Sequence, residues 1–160
     1  MYKRQPQNAA VQVAEEEDKL LLTGEYTGWR ALGIQGLATA TNRNTEASAG
    51  AWSTATNIIK DVSDAIAELE ADGHNGPYDM ICRSDAAADL RLLIANTSTT
   101  ALQVLKSSGY LRNVFVSDNL FASNGAQTSA LVVEPGPMNF VLGIGQEISV
   151  YNWQDQDMNT

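Results

Sequence analysis

Between Ser53 and Asp72 the apolar residues Ile58, Ile59, Val62, Ile66 and Leu69 recur at helical spacing. Asp61, Asp64, Glu68 and Asp72 follow spacings of three and four on another face. No other stretch constrains the fold as strongly, because a helix with one apolar stripe must bury it against a sheet or other helices. Ser53 is the expected N-cap and Gly73 the expected residue just past the C-terminal end. The expectation is a helix over Ser53–Asp72 that packs this stripe onto the sheet.

The rest of the chain supplies the partners for that stripe. A helix is expected from Asn8 to Leu22, carrying Ala9, Ala10, Val13, Ala14, Leu20 and Leu21, with Glu15, Glu16, Glu17 and Asp18 as a solvated face and Gly24 as its stop. Residues 1–7, with Pro6, read as a loose arm. Gly24, Gly28, Gly33, Gly36 and Gly50 then punctuate a stretch rich in Thr, Ala and Asn. Within it Leu32–Leu37 reads as a packed turn and Thr39–Gly50 as a long polar loop, of the kind that is usually functional or mobile. Downstream, the turn cluster Asp72-Gly-His-Asn-Gly-Pro-Tyr78 precedes a strand over Tyr78–Arg83. Ser84 or Asp85 can cap a helix through Ala86, Ala87, Leu90, Leu93 and Ile94; a second covers Thr99–Ser107 and ends at Gly109. Strands follow at Leu111–Val116, Ser129–Glu134, Asn139–Gly143 and Ile144–Trp153, with Pro135-Gly-Pro137 turning the chain between two antiparallel strands. The tail, Gln154–Thr160, is polar. This is an α+β pattern.

Composition narrows the function. With 10 Lys+Arg against 19 Asp+Glu the formal charge of the 160 residues is −9, which repels phosphate and argues against reading nucleic acid or binding an anionic membrane. No apolar run reaches the ~18 residues of a membrane span, and the basic start has no apolar run behind it, unlike a signal peptide. Cys82, the single cysteine, cannot form an internal disulfide. It sits inside an expected strand and reads as a buried structural thiol, whereas a reactive thiolate needs an exposed electropositive setting. His74 lies in a turn with no evident orienting partner, so it reads as incidental rather than as a base. Gly143-Ile-Gly145 has Ile148 where a dinucleotide fingerprint needs its third glycine. Asp155 and Asp157 are two carboxylates in a tail, too few for a cation site. No residue is assigned a catalytic, cofactor-binding or metal-ligating role, and no cofactor is expected. The parts suit a protein that binds or builds.

Four passages, in this order, resemble one family. They are Val13-Ala-Glu-Glu-Glu-Asp18 with Leu20-Leu-Leu-Thr-Gly24; Gly33-Ile-Gln-Gly-Leu37; the amphipathic helix ending in Asp72-Gly-His-Asn-Gly-Pro-Tyr78; and Leu131-Val-Val-Glu-Pro-Gly-Pro137 with Leu142-Gly-Ile-Gly-Gln146-Glu-Ile-Ser-Val150. Together, over about residues 8–155, they are similar to shell proteins of the HK97-type capsid fold: the major capsid proteins of tailed viruses and prophages, and the encapsulin (linocin-like) nanocompartment proteins. The resemblance implies an α+β fragment of that fold. Residues 8–50 would hold a segment of the spine helix and a linker loop of the peripheral domain, and 51–153 the axial domain. The flexible arm, 1–7, and the polar tail, 154–160, would flank them. A full subunit of the family has further segments on both sides, so the chain is expected to be part of a longer subunit. The implied function is structural, not enzymatic: a major capsid subunit that self-assembles into an icosahedral virion shell in the host cytoplasm. Its implied partner is itself, as pentamers and hexamers, with DNA met only through enclosure and no membrane involved. The Thr39–Gly50 loop tilts the reading toward the viral side. The alternative is an encapsulin shell in the cytoplasm around a cargo enzyme, and a remote one is a small α/β enzyme.

Overall fold

The computed structural model describes residues 5–24, 35–120, 130–137 and 139–140. Outside them lie residues 1–4 of the arm, Gly28, Gly33, Gly143-Ile-Gly145, the strand expected over Ile144–Trp153 and the polar tail. The described elements are α1 (Gln5–Thr23), α2 (Ala55–Ala71), β1 (Tyr78–Cys82), α3 (Ser84–Asp89), α4 (Ala101–Ser107), β2 (Leu111–Val116), a 3₁₀ turn (Asp118–Leu120) and β3 (Ala130–Val133).

The three strands form a sheet in the order β2-β1-β3, β1 running parallel to β2 and antiparallel to β3. Strand alternation sends successive side chains to opposite faces, and β1 buries both. Tyr78, Met80 and Cys82 enter the main core with Ile58, Val62 and Ile66 of α2, Ala86 and Ala87 of α3, Leu90, and Ala101 and Leu105 of α4. Ile81, on the other face, packs with Leu131 against Leu22 of α1, Ala38 and Leu120. The stripe of α2 therefore does pack onto the sheet. Ile59 and Leu69 only border the core, whereas Ile58 is wholly buried.

Several boundaries depart from expectation for local reasons. α1 begins at Gln5, three residues before the expected Asn8, with Pro6 in the first turn, where its missing N–H costs nothing. Its C-terminus closes at Gly24, which adopts φ +72°, and two carbonyls that an isolated helix would leave unpaired accept from the next segment: Leu37 N donates to Leu21 O at 2.9 Å and Ala38 N to Leu22 O at 2.8 Å. That close approach explains Gly36, where a Cβ would sit 2.4 Å from the Thr23 nitrogen. The N-cap position of α2 is Thr54 rather than Ser53, without a side-chain cap.

The helix expected from Ser84 through Ile94 stops at Asp89. Beyond it, the carbonyls of Leu90 and Leu92 accept from Leu102 N and Ala101 N, the first-turn donors of α4. One helix end thus satisfies the other's orphan groups, leaving Leu93 exposed. Neither Ser84 nor Asp85 is the N-cap residue: Arg83 takes that position, and the carboxylate of Asp118 reaches in to accept from Ser84 N at 2.9 Å. α4 carries a capping box, Thr100 with Gln103. Asn139 and Phe140, expected in a strand, instead donate their amides to Gly136 O in a turn.

Between Tyr78 and Asp79 the β1–β2 register slips by one residue, so Asp79 pairs with Asn113 and Arg112 is the extra residue. Buried Asp79 then accepts from Arg112 Nη2 at 2.7 Å and Nε at 3.1 Å, and from the backbone and side chain of Asn113. These bonds, Arg112 foremost, hold the Asp79 carboxyl below its ordinary value against the opposing effect of burial. A depressed folded-state value stabilises the fold above the unfolded value, about 3.9, and that stability is lost as pH falls through the folded one. Asp79→Asn is therefore expected to melt lower than the parent at pH 7, with the gap closing in melts taken at pH 4 and pH 3. A gap that stays constant over that range would rule out this linkage.

Candidate functional site

An open groove of about 850 Å³ runs along the outer edge of β3, between the loop after Ala40, the flank of α2 and the turn that ends at Phe140. Its floor is apolar, with Leu37, Val62, Leu69 and Val132, and its lining carries the carboxylates of Glu46, Glu68, Asp72 and Glu134 against one guanidinium, that of Arg43.

The loop wall is held by Asp61, which the sequence places on the acidic face of the helix and the structure buries. Its carboxylate accepts from Trp52 Nε1 at 2.7 Å, Ser48 Oγ at 2.9 Å and Ala49 N at 2.6 Å. Asn44 Nδ2 donates to Asp72 at 2.7 Å, adding a second tie between the loop and α2. The expected Thr39–Gly50 loop is thus a loop, and one tethered to a helix. Asp61 borders the stripe, three residues after Ile58, and the nearby indole N–H of Trp52 needed an acceptor. That pair was the available signal.

His74 is half-buried rather than incidental. Its Nδ1 is hydrogen-bonded to Glu134, and the same carboxylate accepts from Asn75 N at 3.3 Å and Asn139 Nδ2 at 3.0 Å. The His74 contact, followed by the bonds from Asn139 and Asn75, holds the Glu134 carboxyl below its ordinary range. This clasp joins the end of α2 to the end of β3. Among the described residues the partner of the His74 ring is the Glu134 carboxylate, and the pair ties two segments together. Cys82 is wholly buried in β1, where burial pushes its thiol up to about 11, the opposite of what nucleophilic chemistry needs. No cluster among the described residues combines enough His, Cys, Asp and Glu to hold a metal ion.

The acidic run of α1 is partly structural as well. Asp18 accepts from Ser117 Oγ at 2.7 Å and Asn119 Nδ2 at 3.1 Å, locking α1 onto the segment after β2, and Glu16 pairs with Lys19. What these sites do chemically is join segments. The groove has an apolar floor and a mostly anionic lining.

Comparison with known proteins agrees with a building role. Residues 4–160 match the family described as encapsulating protein for peroxidase. The chain is 30% identical over 155 residues to a diheme-cytochrome-encapsulin shell fusion protein of Kuenenia stuttgartiensis, an alignment covering 94% of this chain and 39% of that one. It is 26% identical over 141 residues to the type 1 encapsulin shell protein EncA of Myxococcus xanthus (strain DK1622), covering 88% of this chain and 45% of the relative. The chain spans less than half the length of either.

Proposed function

Because the chain belongs to the family of encapsulating proteins for peroxidase, we propose that it forms part of the wall of an encapsulin shell, a cytoplasmic compartment closed by many copies of the subunit around a cargo protein. The observation that carries this reading is the family match over residues 4–160, nearly the whole chain. Family membership brings the HK97-type fold with it, and the small mixed sheet flanked by helices is consistent with part of that fold. The viral capsid reading, toward which the Thr39–Gly50 loop tilts, gives way to its encapsulin alternative. The matched family and both relatives are encapsulin shell proteins, and a polar loop tethered by Asp61 is no mark of a virion.

Encapsulin shell proteins are structural, and the tethering roles of Asp18, Asp61 and Glu134 suit a wall. The fusion relative joins its shell to a diheme cytochrome by name, which makes a redox protein the cargo class to look for first. No described helix is long and apolar enough to cross a membrane.

The test is electron microscopy and mass spectrometry of particles purified from cells expressing the gene product that carries this sequence together with its neighbouring genes. Closed particles tens of nanometres across holding a protein cargo are expected. Particles filled with DNA would restore the viral reading, and a persistent absence of particles would remove the shell reading altogether.

A further inference from the structure

We propose that the acidic groove of one subunit receives the basic, apolar flank formed by Leu90–Lys106 of a second copy, in a head-to-tail contact between neighbours. The inference rests on the shell reading and goes beyond it by naming the two surfaces that meet.

The two surfaces lie on opposite flanks of the same layer. With the strands ordered β2-β1-β3, α4 packs over β2 at one side, while α2 packs over β3 and borders the groove at the other. Each surface carries mostly what the other lacks, the groove lining setting the carboxylates of Glu46, Glu68, Asp72 and Glu134 against the single guanidinium of Arg43, which is held on Ala40 O. The carboxylates of Glu46 and Glu68 in the groove lining are exposed and accept no hydrogen bond from the described residues, and Asp72 adds a third exposed carboxylate. Before and at the end of α4, Arg91 and Lys106 are exposed and form no ion pair among the described residues. Leu92 and Leu93 in the same stretch, and Tyr110 just after α4, are 37%, 61% and 44% exposed, apolar surface to set against the groove floor.

Electrostatics selects the arrangement. The chain carries a formal charge of −9, so two copies repel unless an acidic face meets a basic one. A two-fold contact of groove on groove would set carboxylate against carboxylate, which is costly. A head-to-tail contact pairs unlike surfaces and repeats from subunit to subunit, the property a ring within a shell requires. Exposed pairs are screened by salt, and a contact that buries less than about 1,000 Å² holds two free chains only weakly. Assembly then comes from repetition of the contact.

Weak contacts of this kind are read by disulfide trapping. Thr45→Cys places a thiol on the groove wall and Ser107→Cys one beside Lys106, leaving every charge in place. Gln12→Cys on α1 serves as the control, and buried Cys82 stays silent. When chains carrying T45C and S107C are mixed at low ionic strength with oxidised glutathione as the two-electron acceptor, the mixed disulfide is expected to form several-fold faster than between Q12C and S107C. Half-molar salt should abolish the advantage. Arg91→Glu should abolish it too, and Arg91→Glu in one chain with Glu46→Lys in the other should restore it. Equal trapping rates for T45C and Q12C, or rates indifferent to salt and charge reversal, would overturn the contact. Closed particles from the gene product alongside unselective trapping would remove this contact and leave the shell reading standing. Selective trapping without particles would do the reverse.

Discussion

Ile58→Asp is expected to abolish the cooperative thermal transition of the chain. Ile58 is wholly buried at the centre of the α2 stripe, and an unpaired charge placed there must either ionise in a dry core or take up a proton and still lack partners. The cost is several kcal/mol, set against a total stability of about 5–15 kcal/mol for a domain of ordinary size. Ile58→Val, which removes one methylene, should cost only about 1 kcal/mol. Ile59→Asp should fall between them, because Ile59 is only partly buried and its new carboxylate can turn toward water. Circular dichroism melts of the three variants rank the positions. An Ile58→Asp protein that melts within a few degrees of the parent would show that α2 does not pack as described.

Asp61→Ala carries the second largest expected effect, about 3 kcal/mol. The substitution leaves Trp52 Nε1, Ser48 Oγ and Ala49 N without their shared acceptor, and hydrogen bonds to a charged group are each worth about 1.5–3 kcal/mol net. The full sum is not expected, since the Ser48 and Ala49 side of the network lies near solvent and can rehydrate. Urea unfolding should show a lower midpoint with little change in slope. Amide exchange should accelerate over residues 44–52 while β1 stays protected. Asp61→Asn keeps one acceptor oxygen and should recover part of the loss. An Asp61→Ala protein with parental loop exchange would mean that the loop is held by something other than this carboxylate.

The helices and strands were legible where their cause is local. The period of Ile58, Val62 and Ile66 marks α2 because burial of one face is a property of spacing alone. β1, β2 and α4 were readable to within a few residues for the same kind of reason, as were the glycine stops. The resemblance also led to the shell family, through four passages whose order carried more than any one of them. Choosing between its viral and encapsulin branches from a Thr- and Asn-rich loop failed, because loop polarity reports exposure to water and not what a shell encloses.

Tertiary structure alone decided which charges are surface and which are joints. Asp61 and Asp64 look alike in sequence, yet one binds an indole and a loop while the other pairs with Lys60 in solvent. His74 and Glu134 are sixty residues apart, Asp18 and Ser117 ninety-nine, and no local pattern announces either pair. The one-residue slip that brings Arg112 to Asp79 exists only once β1 and β2 lie side by side. Secondary structure follows from neighbours along the chain, and so it was open to reading. A buried carboxylate is stable only with donors brought from elsewhere in the chain, and which donors arrive is settled by packing.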